Sequence, residues 1–544
     1  MTITRDTYSR LTALLVDDHA IQRQQLRWHL AQLGIDRIDQ AGTAQEALNQ
    51  ITRRSYDLVL CDYNLDTNAR GIVSNGQQLL EHIRTLGVMG PNTIFVMVSG
   101  NNNYKDIAAT VEQKPDAYLV KPITTKALEE RLQRLIERQM ALSAITSRQR
   151  AGDHNGAVAA AGQVMAAHPE YTLPAMQMKG GSQLELAAFD DALVTFEQAI
   201  AISAKLDWAQ YGKARALKGL RRTDDARLVL KELVARNSLY TSAYEMLAAM
   251  AEEEGNDAEA MAVLQRSIDE LPSPRRSRAL ADAAYRAGDV TTARRHYETV
   301  MKATKGTFVA RGSDVLMLAQ SAVDLGDHKE ALKLVQDNMK MLGQDAAMEG
   351  VAFSLQAQAY SATGDMASAK QAAASAKTRA FSPTTSLNTM LMAKGLLAVG
   401  DSSGLDVLKE VVKGDHENAK MLNFARKVLK DTGNEAQTDA IVDAVASTVR
   451  TTIEESQKLR RSGDFMQAKH MVDRALTEMP HNTGVLIEAA QVYLLALARQ
   501  ERKDSQMVGA VSGFLDKLEE LLPGSDRVTA QRAYFRRVLS SAKP

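Results

Sequence analysis

The stretch that decides the fold of the first part of the chain is residues 57–65, DLVLCDYNL. Its four consecutive apolar residues, 58–61, are bounded by polar ones and predict a strand buried on both faces, as in parallel sheets. Asp62 follows directly and stands at the carboxyl end of that strand, where open α/β sheets place their ligands. An acid in this position is by itself usually a solvated turn residue, so its meaning depends on the rest of the chain.

Alternating strand and helix patterns surround this stretch. The predicted strands cover residues 11–16, 38–41, 58–61, 93–98 and 117–120. The predicted helices that follow them lie at about residues 21–33, 43–51, 76–86, 105–113 and 124–140. Five successive strand–helix units predict an α/β doubly wound parallel sheet with right-handed crossovers.

Five side chains stand at the predicted carboxyl ends of these strands, on one edge of the sheet: Asp17, Asp18, Asp62, Ser99 and Lys121. Three carboxylates this close repel one another unless a cation neutralises them, and Mg²⁺, which prefers oxygen ligands, is the natural candidate. A carboxylate beside bound Mg²⁺ can attack phosphorus and form an aspartyl phosphate. The ammonium of Lys121 and the hydroxyl of Ser99 would then neutralise further phosphoryl oxygens.

With these motifs, residues 11–138 resemble a response-regulator receiver domain of the CheY type, which has a flavodoxin-like sheet. The resemblance implies that Asp62 is the phosphoacceptor and that Asp17 and Asp18 bind the metal in an acidic pocket. It further implies that Asn64 contributes a backbone carbonyl to the metal. The resemblance covers about a quarter of the 544 residues.

The same resemblance implies a switch on this edge of the sheet. Ser99 takes the position of the family's hydroxyl, Tyr118 that of its aromatic switch, and Lys121 that of the lysine in its cis Lys-Pro pair. One departure concerns the loop after the acceptor: Asp66 replaces the family's usual proline, and the loop before Gly76 is longer. The family's rate of phosphorylation and its fit to a kinase are therefore not inferred for this chain.

From residue 150 onward a turn signature recurs, with a glycine and then, five residues later, an alanine that we call the anchor alanine. Successive anchors between residues 157 and 369 are 33 to 38 residues apart. A small residue precedes most anchors by twelve positions, and a larger apolar one follows by four. This pattern resembles the tetratricopeptide repeat, an antiparallel helix pair. The anchors are Ala157, Ala192, Ala226, Ala260, Ala293, Ala331, Ala369 and Ala468.

The patterns predict a leader at residues 1–10, a receiver at 11–138, tetratricopeptide-like repeats in an all-α superhelical solenoid at 139–480, and capping helices at 481–544. The repeat pattern decays between residues 400 and 440. Stacked helix pairs present an extended groove, for which an unknown protein ligand is expected. No stop signal follows residue 140, so the last receiver helix is predicted to continue into the first repeat and to couple the two parts rigidly.

Composition restricts the choice of partners. Lys plus Arg and Asp plus Glu number 66 each, so no net field favours nucleic acid or an anionic membrane. The single cysteine, Cys61, excludes a disulfide framework and cysteine-based metal clusters and suits a reducing cytosol. No apolar run approaches the roughly 20 residues of a membrane helix, and the N-terminus lacks a secretion signal. The expectation is a cytoplasmic protein without membrane insertion.

Together these patterns predict a bacterial two-component response regulator. A sensor histidine kinase or phosphotransfer protein would phosphorylate Asp62, and phosphorylation would control protein–protein interaction through the repeats. No enzymatic activity is expected beyond phosphoryl acceptance and slow self-dephosphorylation. The alternatives are a modulator that competes for a kinase or sequesters another regulator, a Mg²⁺-dependent phosphohydrolase, and a constitutive scaffold with an inactive receiver. Asn64 argues against the hydrolase, because that chemistry normally adds a second acid near the nucleophile.

Overall fold

The computed structural model describes residues 5–67, 73–85, 87–90, 93–100, 115–305, 310–379, 386–414, 416, 418–500, 503–522 and 526–540. The chain divides into two compact units. The first consists of residues 1–244 and 303–309, and the second of residues 245–302 and 310–544. The predicted helix at 105–113 lies outside the described residues.

The first unit begins with a parallel five-stranded sheet. Counted along the chain, its strands are arranged in the order 2-1-3-4-5, which confirms the doubly wound topology. The central strand is buried at every position, and separate apolar cores cover the two faces of the sheet. The strands are Thr12–Val16, Arg37–Ala41, Leu58–Asp62, Ile94–Ser99 and Ala117–Val120. The helices around them are Arg5–Ser9, Ala20–Leu33, Ala44–Arg53, Gly76–Thr85 and Thr125–Arg150.

The segment after Asp62 differs from the plain loop that the sequence predicted. Asn64–Thr67 and Val73–Asn75 pair as a two-stranded antiparallel ribbon. Strands of three or four residues are too short to show the alternation that identifies a strand in a sequence. A glycine is required at the start of the next helix, because a Cβ atom on Gly76 would lie 2.3 Å from the carbonyl oxygen of Asp62.

One unbroken helix of 26 residues, Thr125–Arg150, leads from the sheet to the repeats, and we call it the connecting helix. Its first half buries Leu128 and Leu132 in the core on one face of the sheet. Its second half buries Leu142 and Ile145 against the first repeat helices. The predicted continuation past residue 140 is confirmed. A domain boundary at residues 138/139 stays a prediction, since this helix crosses it without interruption.

Antiparallel helix pairs follow the connecting helix. Every anchor alanine is at most 1% exposed, so the recurring alanines mark the contact inside each pair. The small residue before an anchor leaves room for a large partner: a Cβ atom on Gly180 would lie 2.6 Å from the ring of Phe196. The helices are His154–Ala167, Thr172–Glu185, Phe189–Ile202, Asp207–Gly219, Thr223–Arg236, Thr241–Glu253, Asp257–Glu270, Pro274–Ala287, Val290–Thr304, Gly312–Asp324, His328–Leu342, Ala346–Ala362, Met366–Lys377, Ser386–Ala398 and Ser403–Gly414.

The turn inside each pair has a left-handed backbone. The signature glycines have φ between 71° and 87°, a conformation that L residues rarely adopt. In the two copies that lack the glycine, Ala187 (φ 52°) and Arg221 (φ 61°) adopt the same conformation. The turn is therefore kept even where the sequence signature is lost. The glycines are Gly152, Gly255, Gly288, Gly326, Gly364 and Gly463.

The regular pairing ends after the turn at Gly400, where the repeat pattern decays. A helix and short 3₁₀ and π segments, Ala419–Asp431, Glu435–Gln437 and Asp439–Asp443, precede the last helices. Three helices lie within the described part of residues 481–544, where capping helices are predicted. Within the described ranges, no helix is both long and apolar enough to cross a membrane. The last helices are Ala444–Ser462, Phe465–Glu478, Thr483–Ala498, Ser505–Leu521 and Asp526–Ser540.

Candidate functional site

Lys121 joins two of the predicted carboxylates at the carboxyl edge of the sheet. Its Nζ lies 3.0 Å from Oδ2 of Asp17 and 3.0 Å from Oδ2 of Asp62. Asp17 is fully buried, and Asp62 is 7% exposed. The sheet order accounts for this meeting, because the first and third strands are neighbours and their last residues reach the same edge. One ammonium between two buried carboxylates leaves a net negative charge.

A third acid, Asp18, extends this site toward the surface. Asp17, Asp18 and His19 each offer a ligand atom, and these atoms all lie within 4.8 Å of one another. Oδ1 of Asp17 accepts a hydrogen bond from the backbone N–H of His19 at 2.8 Å. Oδ1 of Asp18 lies 2.7 Å from Nδ1 of His19. Asp62 is connected to this acidic group through Lys121, and His19 is an addition that the sequence analysis missed.

The donor chemistry of this edge fits a hard divalent cation. Carboxylate oxygens are preferred ligands of Mg²⁺, whereas the imidazole of His19 suits transition metals better. The excess of negative charge around Asp17, Asp18 and Asp62 is what a divalent cation would relieve. Asn64 lies beside the acceptor, since its backbone N–H donates a hydrogen bond to the Asp62 carboxylate. The proposed metal contact of the Asn64 carbonyl stays a prediction.

The environment of Asp62 changes its acidity. Burial raises the pKa of this carboxyl above its ordinary value. Lys121 acts in the opposite direction through its hydrogen bond and its charge, while the carboxylate of Asp17 adds to the increase. Desolvation of an ionised carboxylate also removes the water that would compete with an incoming phosphoryl group. Asp62 is thus a largely buried carboxylate that contacts the Lys121 ammonium.

Ser99 and Tyr118 lie on the two strands nearest to Lys121. Ser99 ends the fourth strand, is 3% exposed, and its backbone carbonyl accepts a hydrogen bond from the N–H of Lys121 at 2.9 Å. The Lys121–Pro122 peptide bond is cis, as the resemblance implies. Tyr118 is half-buried, and burial raises the pKa of its hydroxyl well above the ordinary value. Both residues are close to the predicted site, and their switching role stays a prediction.

Two polar residues of the helix Ala20–Leu33 complete the site without a recognisable sequence signal. The side-chain oxygen of Gln22 accepts a hydrogen bond from Nζ of Lys121. Arg23 donates to the backbone carbonyl of Asp17 at 2.5 Å. Both residues follow the acidic pair by one helical turn, and in the sequence they are indistinguishable from ordinary surface positions. Their contacts fix Lys121 and the backbone of Asp17.

The same helix exposes two large apolar side chains. Ile21 is 76% exposed and Trp28 is 57% exposed. Seven residues separate them, which places them on one side of the helix, and Ile21 lies two residues after His19 in the acidic group. Large exposed apolar side chains that cluster on one face are typical of a protein interaction surface.

Comparisons with known proteins identify two parts of this chain. A family model, the response regulator receiver domain, matches residues 13–133, and a tetratricopeptide repeat model matches residues 211–273. The sensor histidine kinase RcsC of Salmonella typhi is 32% identical over 135 residues, which cover 25% of this chain and 13% of that protein. The two-component response regulator PhoP of Pseudomonas aeruginosa is 29% identical over 125 residues, or 23% of this chain and 51% of that protein. The chain thus spans only about half of PhoP and much less of RcsC.

Solved structures match the two parts separately. A CheY-like response regulator receiver domain from Methylobacillus flagellatus is 30% identical and covers 23% of this chain and 98% of its own, with a TM-score of 0.20. A tetratricopeptide repeat protein from Parabacteroides merdae is 13% identical and covers 47% of this chain and 97% of its own, with a TM-score of 0.30. Residues 13–133 are thus matched as a response regulator receiver domain, and residues 211–273 as tetratricopeptide repeats.

Proposed function

We propose that this protein is a two-component response regulator that accepts a phosphoryl group on Asp62 and uses it to control a protein–protein interaction of its helical repeats. The observation that supports this best is the shared contact of Lys121 with the buried carboxylates of Asp17 and Asp62. This arrangement holds a nucleophile, a cation and further acids within one small polar pocket. The combination of receiver and repeats indicates a regulator rather than a catalyst of small-molecule turnover.

The chemistry assigned to Asp62 is a phosphoryl transfer. A carboxylate oxygen of Asp62 forms a bond to phosphorus as the bond from phosphorus to the leaving group of the donor breaks. The Lys121 ammonium remains close enough to neutralise a phosphoryl oxygen after transfer, and the Ser99 hydroxyl is a candidate donor to another. Bound Mg²⁺, held by Asp17 and Asp18 among others, would supply further neutralisation of charge on the phosphoryl oxygens.

The donor is proposed to be a sensor histidine kinase or a phosphotransfer protein that docks on the helix Ala20–Leu33. Ile21 and Trp28 offer the exposed apolar contact that such a partner needs, directly beside the acidic group. A kinase that draws its phosphoryl group from ATP would place this step in the cytoplasm. The Ile21→Glu variant should slow transfer from the kinase at least tenfold and leave acetyl phosphate as effective as before.

The connecting helix supports a mechanical link between the acceptor and the repeats. It packs on the sheet through Leu128 and on the first repeat helices through Ile145, without a flexible linker between them. Side-chain amide Nε2 of Gln149 also donates to Ser182 Oγ at 2.9 Å and ties the end of the helix to the repeats. The new charge at Asp62, about −1.5 to −2, would rearrange Ser99 and Tyr118 and shift the packing of this helix.

Intact-mass spectrometry after treatment with acetyl phosphate and Mg²⁺ tests the proposal. The expected result is one added phosphoryl group per chain, lost at alkaline pH as an acyl phosphate is. Asp62→Asn should remain unmodified, and Lys121→Met should be modified at least tenfold more slowly.

Two results would contradict the proposal. One is an unmodified wild-type chain in the presence of Mg²⁺, which would favour a scaffold with an inactive receiver. The other is steady hydrolysis of p-nitrophenyl phosphate that is lost in Asp62→Asn, which would favour the phosphohydrolase alternative.

A further inference from the structure

A helix of the second unit, Ala419–Asp431, packs against residues that lie far back in the chain, and we call it the inner helix. Nζ of Lys420 lies 2.5 Å from Oε2 of Glu252, across 168 residues of sequence. Nδ2 of Asn423 donates to the carbonyl oxygen of Gly255 at 3.4 Å. The N-terminal turn of the inner helix is thus anchored at the turn between the paired helices Thr241–Glu253 and Asp257–Glu270.

The middle of the inner helix is centred on one aromatic side chain. Phe424 is fully buried, and its ring meets the ring of Tyr285 edge-on, with 5.7 Å between centroids and 61° between planes. Nζ of Lys427 lies 5.4 Å from the centroid of the same tyrosine ring. An aromatic pair with a cation above one ring is an attractive arrangement beyond its buried area.

The C-terminal end of the inner helix enters a charged network. Asp431 accepts from Nζ of Lys394 at 2.8 Å, and the same ammonium lies 2.7 Å from Asp324. Asp324 also accepts a hydrogen bond from the hydroxyl of Tyr285 at 2.7 Å. Lys394 is only 5% exposed, so removing either acid would leave a poorly compensated buried charge.

The residues that the inner helix contacts occupy equivalent helices of the repeats. Glu252, Tyr285, Asp324 and Lys394 belong to the first helices of four different helix pairs. The face that these first helices build is the one for which the sequence predicted a protein ligand. An amphipathic helix laid across such a face is a common mode of peptide recognition. We call this surface the first-helix face.

The contacts of the inner helix also indicate which kind of helix the first-helix face can bind. Lys420, Phe424, Lys427 and Asp431 are spaced four, three and four residues apart, which puts them on one side of the helix. The two cations meet Glu252 and the Tyr285 ring, the phenyl ring fills the centre, and the acid meets a lysine. The face therefore selects a helix with a cation–aromatic–cation pattern.

We propose that the inner helix is a built-in ligand of the first-helix face, and that a partner's basic amphipathic helix with the same pattern binds there when the inner helix leaves. The inner helix then keeps the face closed to partners until it is displaced. This goes beyond the proposed function and does not require phosphorylation of Asp62, so its test involves no phosphodonor.

The experiment measures binding of a fluorescein-labelled synthetic peptide, residues 418–432 with blocked ends, to the full chain. The double variant Lys420→Glu/Lys427→Glu places acids opposite Glu252 and the tyrosine ring and should weaken the chain's own helix. It should bind the wild-type peptide at least tenfold more tightly than the wild-type chain does. A peptide carrying Phe424→Ala should bind at least tenfold more weakly.

A matched control is available on the same helix. Arg426→Glu/Lys430→Glu makes the same change in charge at two side chains of the inner helix outside the four-residue pattern, since Arg426 pairs with Asp443 and Lys430 is exposed. This variant should bind the peptide no better than the wild-type chain. Equal binding by the two double variants, with helical content unchanged in circular dichroism, would overturn the proposal.

A second measurement protects the test against a variant that does not fold. In the wild-type chain, amides of the inner helix should exchange with deuterium at least tenfold faster than those of Pro274–Ala287, because a displaceable helix opens locally. Exchange as slow as in that helix would identify the inner helix as a fixed part of the core and overturn the proposal.

Discussion

Arg221 and Ala187 adopt a backbone conformation that the rest of the repeats assign to glycine. Their φ angles of 61° and 52° fall in the left-handed region, where the Cβ atom of an L residue crowds the following carbonyl oxygen. The surrounding helix pair imposes this turn, because the two helices must reverse direction within a few residues to bury their anchor alanine. The packing of the helix pair thus outweighs the preference of these two residues for a right-handed backbone.

Relief of this strain gives a stability prediction. Arg221→Gly should stabilise the first unit by about 0.5 to 1 kcal/mol, since the loss of strain exceeds the added entropy of the unfolded chain. A shift of about 2 °C in the melting temperature is expected. Gly152→Ala, at φ 71° with no atom within 4 Å of the new Cβ, is the control and should shift the temperature downward. A destabilised Arg221→Gly variant would refute the backbone argument.

The lysine network at the end of the inner helix predicts that the stability of the fold depends on pH. Burial alone would raise the pKa of Asp431, but the ammonium groups of Lys394 and Lys427 outweigh it and hold the pKa below its ordinary value. Asp324 and Tyr285 face the same lysine, Lys394, from the other side. An acid with a lowered folded pKa stabilises the fold above its unfolded pKa of about 4, and the effect disappears as pH falls through the folded pKa.

Thermal melting of Asp431→Asn against wild type checks this dependence. The variant should melt at a lower temperature at pH 7, and the difference should shrink steadily below about pH 4. Asp439→Asn, the same change at a nearby exposed position, should have little effect. A difference that grows on acidification would contradict the assigned cause.

The positions of the main site residues were predictable because they depend on strand ends, which the apolar runs reveal. Asp17, Asp62 and Lys121 meet where parallel strands end together. The contacts of Gln22 and His19 were not predictable, since polar residues in a first helical turn are common and their partners depend on side-chain packing. The meeting of these three side chains was thus easier to predict than the contacts that hold them in place.

Among the elements, those that repeat or alternate were predicted and those defined by distant contacts were not. The fifth strand, Ala117–Val120, has the bounds that the sequence predicts. The short strands Asn64–Thr67 and Val73–Asn75 lack a readable period. The inner helix lies where the repeat pattern decays, and its packing against Glu252 is a contact across 168 residues that no local pattern encodes.

The connecting helix is the element whose integrity the proposed signal requires. Ser143→Pro removes a backbone hydrogen bond and clashes with the preceding turn, which destabilises the helix by about 3 kcal/mol. Modification of Asp62 by acetyl phosphate should continue in this variant, because the acceptor pocket is untouched. In the wild-type chain we expect modification to change the hydrogen exchange of the repeats. This change should be absent in Ser143→Pro.

Ser143→Ala is the control for this break, since it keeps the helix and removes only a hydroxyl that bonds the Met140 carbonyl. It should transmit the change in exchange as the wild type does. An unchanged response in Ser143→Pro would show that the repeats sense Asp62 by another route.

At the scale of the whole molecule, the division into two compact units predicts two unfolding transitions in calorimetry. Mg²⁺ with beryllofluoride should bind the proposed acceptor site and raise only the transition of the first unit. A ligand at 100 times its Kd adds about 2.7 kcal/mol to the folded state. The Lys420→Glu/Lys427→Glu variant should lower only the other transition. A single transition that responds to both changes would contradict independent folding of the units.

The burial of Cys61 has a practical consequence for distance measurements. Its thiol is fully buried within the core beside Asp62, and burial raises its pKa well above the ordinary value. Thiolates, not thiols, attack maleimide and methanethiosulfonate reagents, so the native chain resists these labels while it is folded. Because it is the only cysteine in 544 residues, spin or dye probes placed at chosen surface sites need no cysteine-free background. Distance changes expected from the proposed phosphorylation can thereby be measured with such probes while the acceptor strand stays intact.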